Sequence, residues 1–200
     1  LKADLVVPVP DSGVPAALGY AETANKKFEL GLIRNHYVGR TFIEPTQNIR
    51  SLGVKLKLSP TKTVVKKKSI ILIDDSLVRG TTCNKIVKML YEAGAKEVHV
   101  RIACPEIRYP DFYGVDMPTK EELLAYKKND YEMCKHINAK SLKFLSLKGL
   151  YKALANDQRN DSYPQFSDHY FTGDYPIRPS DNLEGLKIKQ LSLLSGKSNN

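Results

Sequence analysis

The segment at residues 70–83 constrains the fold of this chain more than any other part of the sequence. Four consecutive apolar residues, from Ile70 to Ile73, are followed directly by the acidic residues Asp74 and Asp75. An uninterrupted apolar run of this length is typical of a strand that is buried on both faces, as in a parallel sheet covered by helices. Ligands of such sheets bind beyond the carboxyl ends of the strands. The segment therefore predicts a binding site directly after Ile73.

The residues that follow this strand indicate what the site binds. Asp74 and Asp75 can accept hydrogen bonds from vicinal hydroxyl groups and can hold a hard cation through oxygen. Gly80 lets the backbone approach an anion closely, and Thr81 and Thr82 add hydroxyl donors at the start of a helix. Taken separately, the acidic pair also fits an ordinary turn, and the Gly-Thr-Thr sequence also fits a helix cap. Their occurrence together, in this order, favours a ribose-phosphate site.

The remaining patterns predict an α/β fold with a central parallel sheet flanked by helices. Strands alternate with helices in the first half of the chain, which favours right-handed crossovers between parallel strands. We predict strands at residues 5–9, 29–34, 70–73 and 97–104. We predict helices at residues 14–24 and after the Gly-Thr-Thr turn, the latter ending at a left-handed cap on Gly94. The polar connection at residues 36–68 is too long for an ordinary loop and indicates a functional lid.

The second half of the chain predicts a helical carboxyl-terminal flank. Thr119 and Glu122 have the spacing of a capping box, which predicts a helix that continues to about residue 128. A further helix is predicted at residues 131–137, and Ser146 is expected to cap a helix at residues 147–155. We expect residues 1–180 to form one domain, incomplete at its amino terminus, and residues 181–200 to form a partly disordered tail.

The composition is that of a globular domain. The chain has 200 residues, of which 42% are hydrophobic and 26% are charged, enough for one sizeable core. No apolar run approaches the roughly 18 residues that span a bilayer, and the sequence start does not resemble a secretion signal. We therefore expect a cytoplasmic protein with no membrane partner. Three widely spaced cysteines argue against a disulfide framework or a zinc site, namely Cys83, Cys104 and Cys134.

The net charge of +9 is compatible with nucleic acid or with a small polyanion as partner. Much of the basic excess consists of lysines between Lys55 and Lys68. No zinc-finger, basic-zipper or aromatic-basic RNA motif accompanies these lysines. We therefore expect a small polyanion as the partner and do not expect nucleic acid.

Residues 70–83 resemble the phosphoribosyl pyrophosphate (PRPP) signature of type I phosphoribosyltransferases. Residues 76–82, with the sequence SLVRGTT, are similar to the amidophosphoribosyltransferase family in particular. Four more blocks match this family in order, at residues 7–13 (VPVPDSG), 35–43 (NHYVGRTFI), 92–95 (EAGA) and 109–116 (YPDFYGVD). The resemblance extends from about residue 3 to about residue 176, and it implies the type I phosphoribosyltransferase fold.

The resemblance also implies an activity, the first committed step of purine biosynthesis. In this step the phosphoribosyl group of PRPP passes to ammonia or to the amide nitrogen of glutamine, which gives 5-phosphoribosylamine and pyrophosphate, with Mg²⁺ as cofactor. The family has an upstream glutaminase domain with an amino-terminal cysteine nucleophile, and its members assemble as homo-oligomers. Because the chain begins at Leu1 and enters a strand almost at once, we expect the glutaminase domain and the opening elements of the transferase domain to be missing from it.

The resemblance assigns roles to individual residues. It implies that Asp74 and Asp75 contact the ribose hydroxyls and, together with Ser12, hold Mg²⁺. The residues at 79–82 surround the 5-phosphate, and a turn at residues 10–13 matches the pyrophosphate loop. The implied PRPP-binding residues are Asp11, Ser12, Tyr37, Ser76, Arg79, Gly80, Thr81 and Thr82. Without the resemblance, the turn at residues 10–13 would be an ordinary turn.

The block at residues 37–42 matches a flexible loop that closes over PRPP in the family. Closure would exclude water, which competes with ammonia for the ribose carbon. Arg40 can bind diphosphate oxygens with its planar guanidinium, and Lys57 can add a point charge. The implied catalytic residues are therefore Asp74, Asp75, Arg40 and Lys57. Taken alone, Arg40 would be an ordinary solvent-facing arginine.

One departure from the family concerns an iron–sulfur cluster. Some members hold a structural cluster with a cysteine just before the Phe-Tyr-Gly-x-Asp block and a pair shortly before a Phe-Thr-Gly-x-Tyr-Pro block. Here Asp111 occupies the first position, and residues 165–170 (QFSDHY) occupy the second region. Carboxylate and imidazole groups are poor substitutes for thiolates at such a cluster. We therefore expect no iron–sulfur cluster and do not regard Cys104 as a displaced ligand.

Three other interpretations of the sequence stay open. A type I phosphoribosyltransferase that uses a free base would carry the same signature. A PRPP-binding regulator, in which the pocket controls DNA binding by a partner domain, would need no catalysis. A fragment of a split gene would keep a recognisable pocket without turnover.

Overall fold

The computed structural model describes residues 1–37, 57–115, 119–154 and 158–177. Its strands are β1 (Leu5–Pro8), β2 (Lys27–Phe28), β3 (Leu32–Arg34), β4 (Leu58–Pro60), β5 (Ser69–Asp74), β6 (Glu97–Ile102) and β7 (Ser141–Phe144). Its helices are α1 (Val14–Thr23), α2 (Lys62–Val65), α3 (Thr81–Glu92), α4 (Leu124–Lys127), α5 (Asp130–His136), α6 (Leu147–Ala153) and α7 (His169–Thr172), with a 3₁₀ turn at Lys120–Glu122.

Five strands form the central sheet in the order β2-β1-β5-β6-β7. All neighbouring strands in it are parallel, and Ile70 to Ile73 of β5 pair in register with Leu5 to Pro8 of β1. Helices cover both faces of this sheet. The predicted α/β fold with a central parallel sheet flanked by helices is therefore confirmed.

Side chains of the central strands alternate between two apolar clusters, because successive residues of a strand point to opposite faces. On one face Leu72 packs in the cluster that contains Ile86 and Leu90 of α3. On the other face Ile71 and Ile73 pack in the cluster formed with two alanines of α1, Ala17 and Ala21. All four apolar residues from Ile70 to Ile73 are at most 2% exposed, which explains why their sequence shows no polar alternation.

The structure corrects the predicted strand at residues 29–34. The strand that pairs with β1 at the sheet edge is β2, which ends at Phe28, and β3 pairs antiparallel with β4 in a separate two-stranded sheet. The break falls at Gly31, where a Cβ atom would lie 2.8 and 2.9 Å from the two Cγ atoms of Val7. The chain therefore passes directly over a side chain of β1 at Gly31 and leaves the edge of the central sheet.

The structure also corrects the long connection predicted at residues 36–68. Its last part contains β4 and α2, and the backbone then turns at exposed lysines before β5. Residues 38–56 lie outside the described part of the chain, so the lid at these positions stays a prediction.

The capping box predicted at Thr119 is wrong. The Thr119 side chain makes no capping hydrogen bond, and the chain is extended at Leu123, between the 3₁₀ turn and α4. The N–H of Leu124 donates to the carbonyl of Val78 at 2.9 Å, so a contact with a distant loop interrupts the predicted helix. The capping box lies instead at α5, where the side chains of Asn129 and Glu132 bond reciprocally to each other's backbone N–H.

The other two predicted helices of the flank are confirmed in their described parts. α5 lies within one residue of the predicted start and end. Ser146 caps α6, because its Oγ accepts a hydrogen bond from the N–H of Gly149 at 3.0 Å. Among the described residues, no helix is both long enough and apolar enough to cross a bilayer.

Candidate ribose-phosphate site

A cavity of about 420 Å³ opens at the carboxyl end of β5. Three segments form its walls: the chain after β1, the start of β4 with the residue before it, and the chain from the end of β5 into the first turns of α3. The polar and glycine residues that line it are Ser12, Lys57, Asp74, Asp75, Ser76, Arg79, Gly80, Thr81, Thr82 and Lys85. The cavity thus lies where ligands of parallel sheets bind.

The two acidic residues at the mouth of the cavity differ in environment. Asp74 is the last residue of β5 and is partly buried, whereas Asp75 is exposed. Burial, together with the negative charge of Asp75, raises the pKa of Asp74 to about 7, although the N–H of Asp75 donates to Asp74 Oδ1 and opposes this shift. The side chain of Ser76 donates to Asp75 Oδ1 at 2.7 Å. A cation bound here would relieve the repulsion between the two carboxylates.

The loop after these acids leads into the free amino-terminal turn of α3. Gly80 has a left-handed backbone, with φ of 77°, and a Cβ atom there would lie 2.7 Å from Cδ2 of Leu124. Thr81 and Thr82 are exposed in the first turn of this 12-residue helix. The first N–H groups of a helix have no partner within the helix, and its dipole favours negative charge at this end. This turn can therefore bind a phosphate group.

The turn after β1 forms another part of the cavity wall. The N–H of Val9 donates to the carbonyl of Ile73 at 2.8 Å, and the N–H of Gly13 donates to the carbonyl of Val9 at 2.9 Å. A Cβ atom on Gly13 would lie 2.6 Å from the carbonyl oxygen of Ile73, so only glycine fits against the end of β5. The peptide bond between Pro10 and Asp11 is cis. The turn places Ser12 on the cavity wall.

The structure brings most of the predicted site residues together, although it leaves their roles as predictions. Nine of them line the cavity: Ser12, Lys57, Asp74, Asp75, Ser76, Arg79, Gly80, Thr81 and Thr82. Asp11 and Tyr37 do not line it; the side chain of Asp11 pairs with Arg34, and Tyr37 is fully exposed. Arg40 lies outside the described residues.

The side chain of Arg79 has a partner outside the cavity. Its Nη2 donates to Oε2 of Glu122, in the 3₁₀ turn, at 3.0 Å. Both side chains are 51% exposed, and such exposed pairs are readily exchanged for other partners. Arg79 therefore lines the cavity and also links the loop to the helical flank through its guanidinium.

The sequence analysis did not identify two charged residues near the cavity, Lys85 and Arg34. Lys85 lines the cavity from α3, and its position one helical turn after Thr81 and Thr82 was a usable signal. Arg34, at the end of β3, bonds to Asp11 across 23 positions of sequence, and no local pattern indicates such a contact.

The positions where the sequence departs from the iron–sulfur pattern meet in space. Oδ1 of Asp111 lies 2.8 Å from Nε2 of His169, and both side chains are 1% exposed. The backbone N–H groups of Tyr113 and Val115 donate to the other carboxylate oxygen of Asp111, and the ring of Tyr175 packs on the imidazole. This buried pair joins residues 111–115 to α7. Within the described ranges, no group of three or more His, Cys, Asp or Glu side chains is arranged to hold a metal ion.

Comparisons with known proteins agree with the family resemblance. No protein-family model matches the chain. The chain is 57% identical over 196 residues to an amidophosphoribosyltransferase of Rhizobium etli. The aligned region covers 98% of this chain and 40% of the relative. It is 52% identical to a chloroplastic amidophosphoribosyltransferase of Glycine max, over 96% of this chain and 32% of the relative.

Solved structures give the same result. The structure of a glutamine PRPP amidotransferase from B. subtilis, complexed with ADP and GMP, matches with a TM-score of 0.77 and 49% sequence identity. The match covers 88% of this chain and 38% of that one. The chain thus spans about a third to two fifths of the length of the relatives that it matches. On this evidence the chain belongs to the amidophosphoribosyltransferase family.

Proposed function

We propose that this chain binds PRPP and transfers its phosphoribosyl group to ammonia or to the amide nitrogen of glutamine, as the first committed step of purine biosynthesis. The observation that carries the proposal is the arrangement of the cavity, in which an acidic pair and the free first turn of α3 line the same space of about 420 Å³. This arrangement suits a ligand with vicinal hydroxyls at one end and a phosphate at the other.

In the proposed reaction, nitrogen forms a bond to C1 of the ribose while the bond between C1 and the pyrophosphate oxygen breaks. Pyrophosphate leaves with the electron pair, and the new amine loses a proton to solvent. Because C1 becomes cation-like and charge develops on oxygen, fixed donors contribute more than acid–base groups. Asp74 and Asp75 would orient the ribose hydroxyls, while Ser76 and residues 79–82 would hold the 5-phosphate.

The donors at the cavity fit Mg²⁺ as the cofactor. Mg²⁺ is commonly held by one or two carboxylates together with substrate phosphates and water, and Asp74 and Asp75 with the hydroxyl of Ser12 line one cavity. We propose these three residues as the protein ligands. When bound, the cation would neutralise charge that develops on pyrophosphate.

The remaining roles belong to the same proposal. Lys57 lines the cavity from the position directly before β4, and it would place a positive charge near the diphosphate. Tyr37 and Arg40 would act from the closing loop, which excludes water. The glutaminase domain would supply nitrogen from glutamine, and the complete protein would be a cytoplasmic homo-oligomer that binds no iron–sulfur cluster and no nucleic acid.

An assay of the three-component reaction tests the proposal. The natural protein is supplied with PRPP, Mg²⁺ and ammonium at a pH where free ammonia is present, and both pyrophosphate and phosphoribosylamine are measured. We expect equimolar products that require all three components. Pyrophosphate release with a purine or pyrimidine base in place of ammonia would indicate a base-specific transferase. PRPP binding without turnover would indicate a regulator or an inactive fragment.

A further inference from the structure

Asp11 occupies the apex of the turn at residues 10–13, and one side chain reaches it there. Nη1 of Arg34 donates to Oδ2 of Asp11 at 2.5 Å. The two ends of this turn are fixed by backbone hydrogen bonds of Val9 and Gly13. The next residue at the apex, Ser12, lines the cavity. The contact with Arg34 is therefore a side-chain constraint on the turn, in addition to its backbone hydrogen bonds.

The backbone of Arg34 is paired with residues that form another wall of the same cavity. Arg34 is the last residue of β3 and pairs in register with Leu58 of β4. The N–H of the next residue, Asn35, donates to the carbonyl of Lys57 at 2.8 Å. Lys57 and Leu58 both line the cavity. Arg34 thus joins two cavity walls that are far apart in the sequence, one through its backbone and the other through its guanidinium.

Stability alone does not explain an arginine at this position. The side chains of Arg34 and Asp11 are 32% and 56% exposed, and ion pairs with this exposure contribute little to folding. In addition, Nε of Arg34 is buried and has no hydrogen-bond partner among the described residues. A buried donor without a partner destabilises the folded state, and a shorter neutral side chain would avoid this cost.

We propose that Arg34 is a positioning residue of the ribose-phosphate site, and that it acts through Asp11 to fix Ser12 relative to Lys57 and Leu58. This inference rests on the proposed function and deepens it, because a diphosphate group held between the turn and β4 needs both walls at a fixed separation. Small errors in such separations reduce rates strongly. In this arrangement Asp11 acts through the arginine and does not contact PRPP.

A double-mutant cycle in the natural protein tests the coupling. We compare Arg34→Gln, Asp11→Asn and the double variant by the kcat/KM for PRPP with saturating ammonia and Mg²⁺. Each single change should lower kcat/KM about tenfold, and the double change should lower it no further, because both remove one contact. Arg34→Lys, which keeps the charge, should restore most of the loss. The KM for ammonia should not change.

A matched control uses the ion pair between Lys27 and Glu29, whose nitrogen and oxygen lie 2.6 Å apart before β3. Lys27→Gln should leave kcat/KM unchanged. Losses that multiply to about a hundredfold in the double variant would show that Arg34 and Asp11 act independently, and would overturn the proposal. Single variants that behave like the Lys27→Gln control would overturn it as well.

Amide exchange in the unliganded protein separates this inference from the proposed function. The N–H groups of Gly13 and Val14 bond to the carbonyls of Val9 and Asp11. They should exchange faster in Arg34→Gln and Asp11→Asn, to the same extent, and no faster in the double variant. If the natural protein makes no phosphoribosylamine, the proposed function fails, and the exchange rates still decide the positioning role. Unchanged exchange in all three variants would refute that role.

Discussion

The surroundings of a residue determine its ionisation and its exposure, and the pair Asp74 and Asp75 shows this most clearly. Asp74 closes β5 and is buried enough to have its pKa raised to about 7, whereas its neighbour Asp75 is exposed at the cavity mouth and bonded by Ser76. Two adjacent aspartates thus differ in their exposure to water and in their hydrogen-bond partners. The exposed carboxylate is the one that can be changed without disturbing the sheet.

The change Asp75→Asn should weaken Mg²⁺-dependent PRPP binding by roughly 1.5–3 kcal/mol, the range typical of a hydrogen bond to a charged group. The reason is that the carboxylate would contact both the cation and the ribose. Calorimetry of PRPP binding with Mg²⁺, and again with a chelator, measures the effect. Asp130→Asn serves as the control, because Asp130 lies on α5 and pairs with Lys143. Equal PRPP affinity of the unchanged protein with and without the chelator would contradict the metal assignment.

Asp111 should make stability depend on pH in the acid range. Burial opposes its ionisation, but hydrogen bonds from the N–H of Val115, from His169 and from the N–H of Tyr113 lower its pKa to about 2 from 3.8. Because the folded pKa is the lower one, ionised Asp111 stabilises the fold above about pH 4. This contribution, about 2 kcal/mol, is lost as the pH falls towards 2.

Denaturant unfolding between pH 7 and pH 2 measures this dependence. Asp111→Asn should be less stable than the unchanged chain at pH 7, and the difference should shrink as the pH falls from 4 to 2. Asp161→Asn is the control, because the Asp161 side chain is 89% exposed. A constant difference across the whole pH range would show that Asp111 contributes through shape and not through charge.

At the scale of elements, the loop from β5 to α3 depends on one glycine. Gly80→Ala should destabilise the chain by about 1–2 kcal/mol, the cost of a left-handed conformation for a residue with a Cβ atom, since Gly80 has φ of 77°. PRPP affinity should fall as well, because this loop leads into the first turn of α3. Thermal unfolding and PRPP calorimetry measure the two effects.

The control for this change is Gly19→Ala in α1. Nothing lies within 4 Å of a Cβ atom at Gly19, so alanine should stabilise the helix there by about 0.5–1 kcal/mol. If both alanine variants are more stable than the unchanged chain, the left-handed backbone at Gly80 is not required.

The sequence predicted those elements whose causes are local. β5 and α3 follow from a four-residue apolar run, a glycine and a helical stripe, and the capped start of α6 follows from Ser146. The break at Gly31 within the predicted strand at residues 29–34 could not be predicted from the sequence, because it depends on Gly31 passing over Val7 of another strand. The interrupted helix near Leu123 depends on a bond to Val78. Asp11 was assigned to PRPP from the resemblance of its turn to the pyrophosphate loop, and its contact with Arg34 was not predicted because Arg34 is 23 residues away.

At the scale of the whole molecule, the described cavity accounts for one part of the proposed reaction, the transfer of the phosphoribosyl group. It matches 40% of the length of the Rhizobium etli relative, and the described cavity contains groups suited to PRPP. Release of ammonia from glutamine needs in addition an activated nucleophile. The three cysteines of this chain are poor candidates, because burial raises the pKa of Cys83, of Cys134 and of Cys104, the last to about 12.

The 200 residues, produced by themselves, should therefore form phosphoribosylamine from ammonia but not from glutamine. Glutamate release and phosphoribosylamine formation are measured in parallel with each nitrogen donor. Turnover with ammonium in the same preparation is the control that the cavity is intact. Glutamate formation in proportion to the amount of purified chain would show that a nucleophile within these residues has been overlooked.

The acids and the first turn of α3 are separated by a short stretch between two packed elements. Asp74 is the last residue of β5 and Thr81 is the first residue of α3, and both elements pack in one apolar cluster. One inserted residue could lengthen this stretch by about 3.5 Å, roughly the distance of a hydrogen bond. Under the proposed function, the length of this loop sets the distance between the carboxylates proposed for the ribose hydroxyls and the turn proposed for the phosphate.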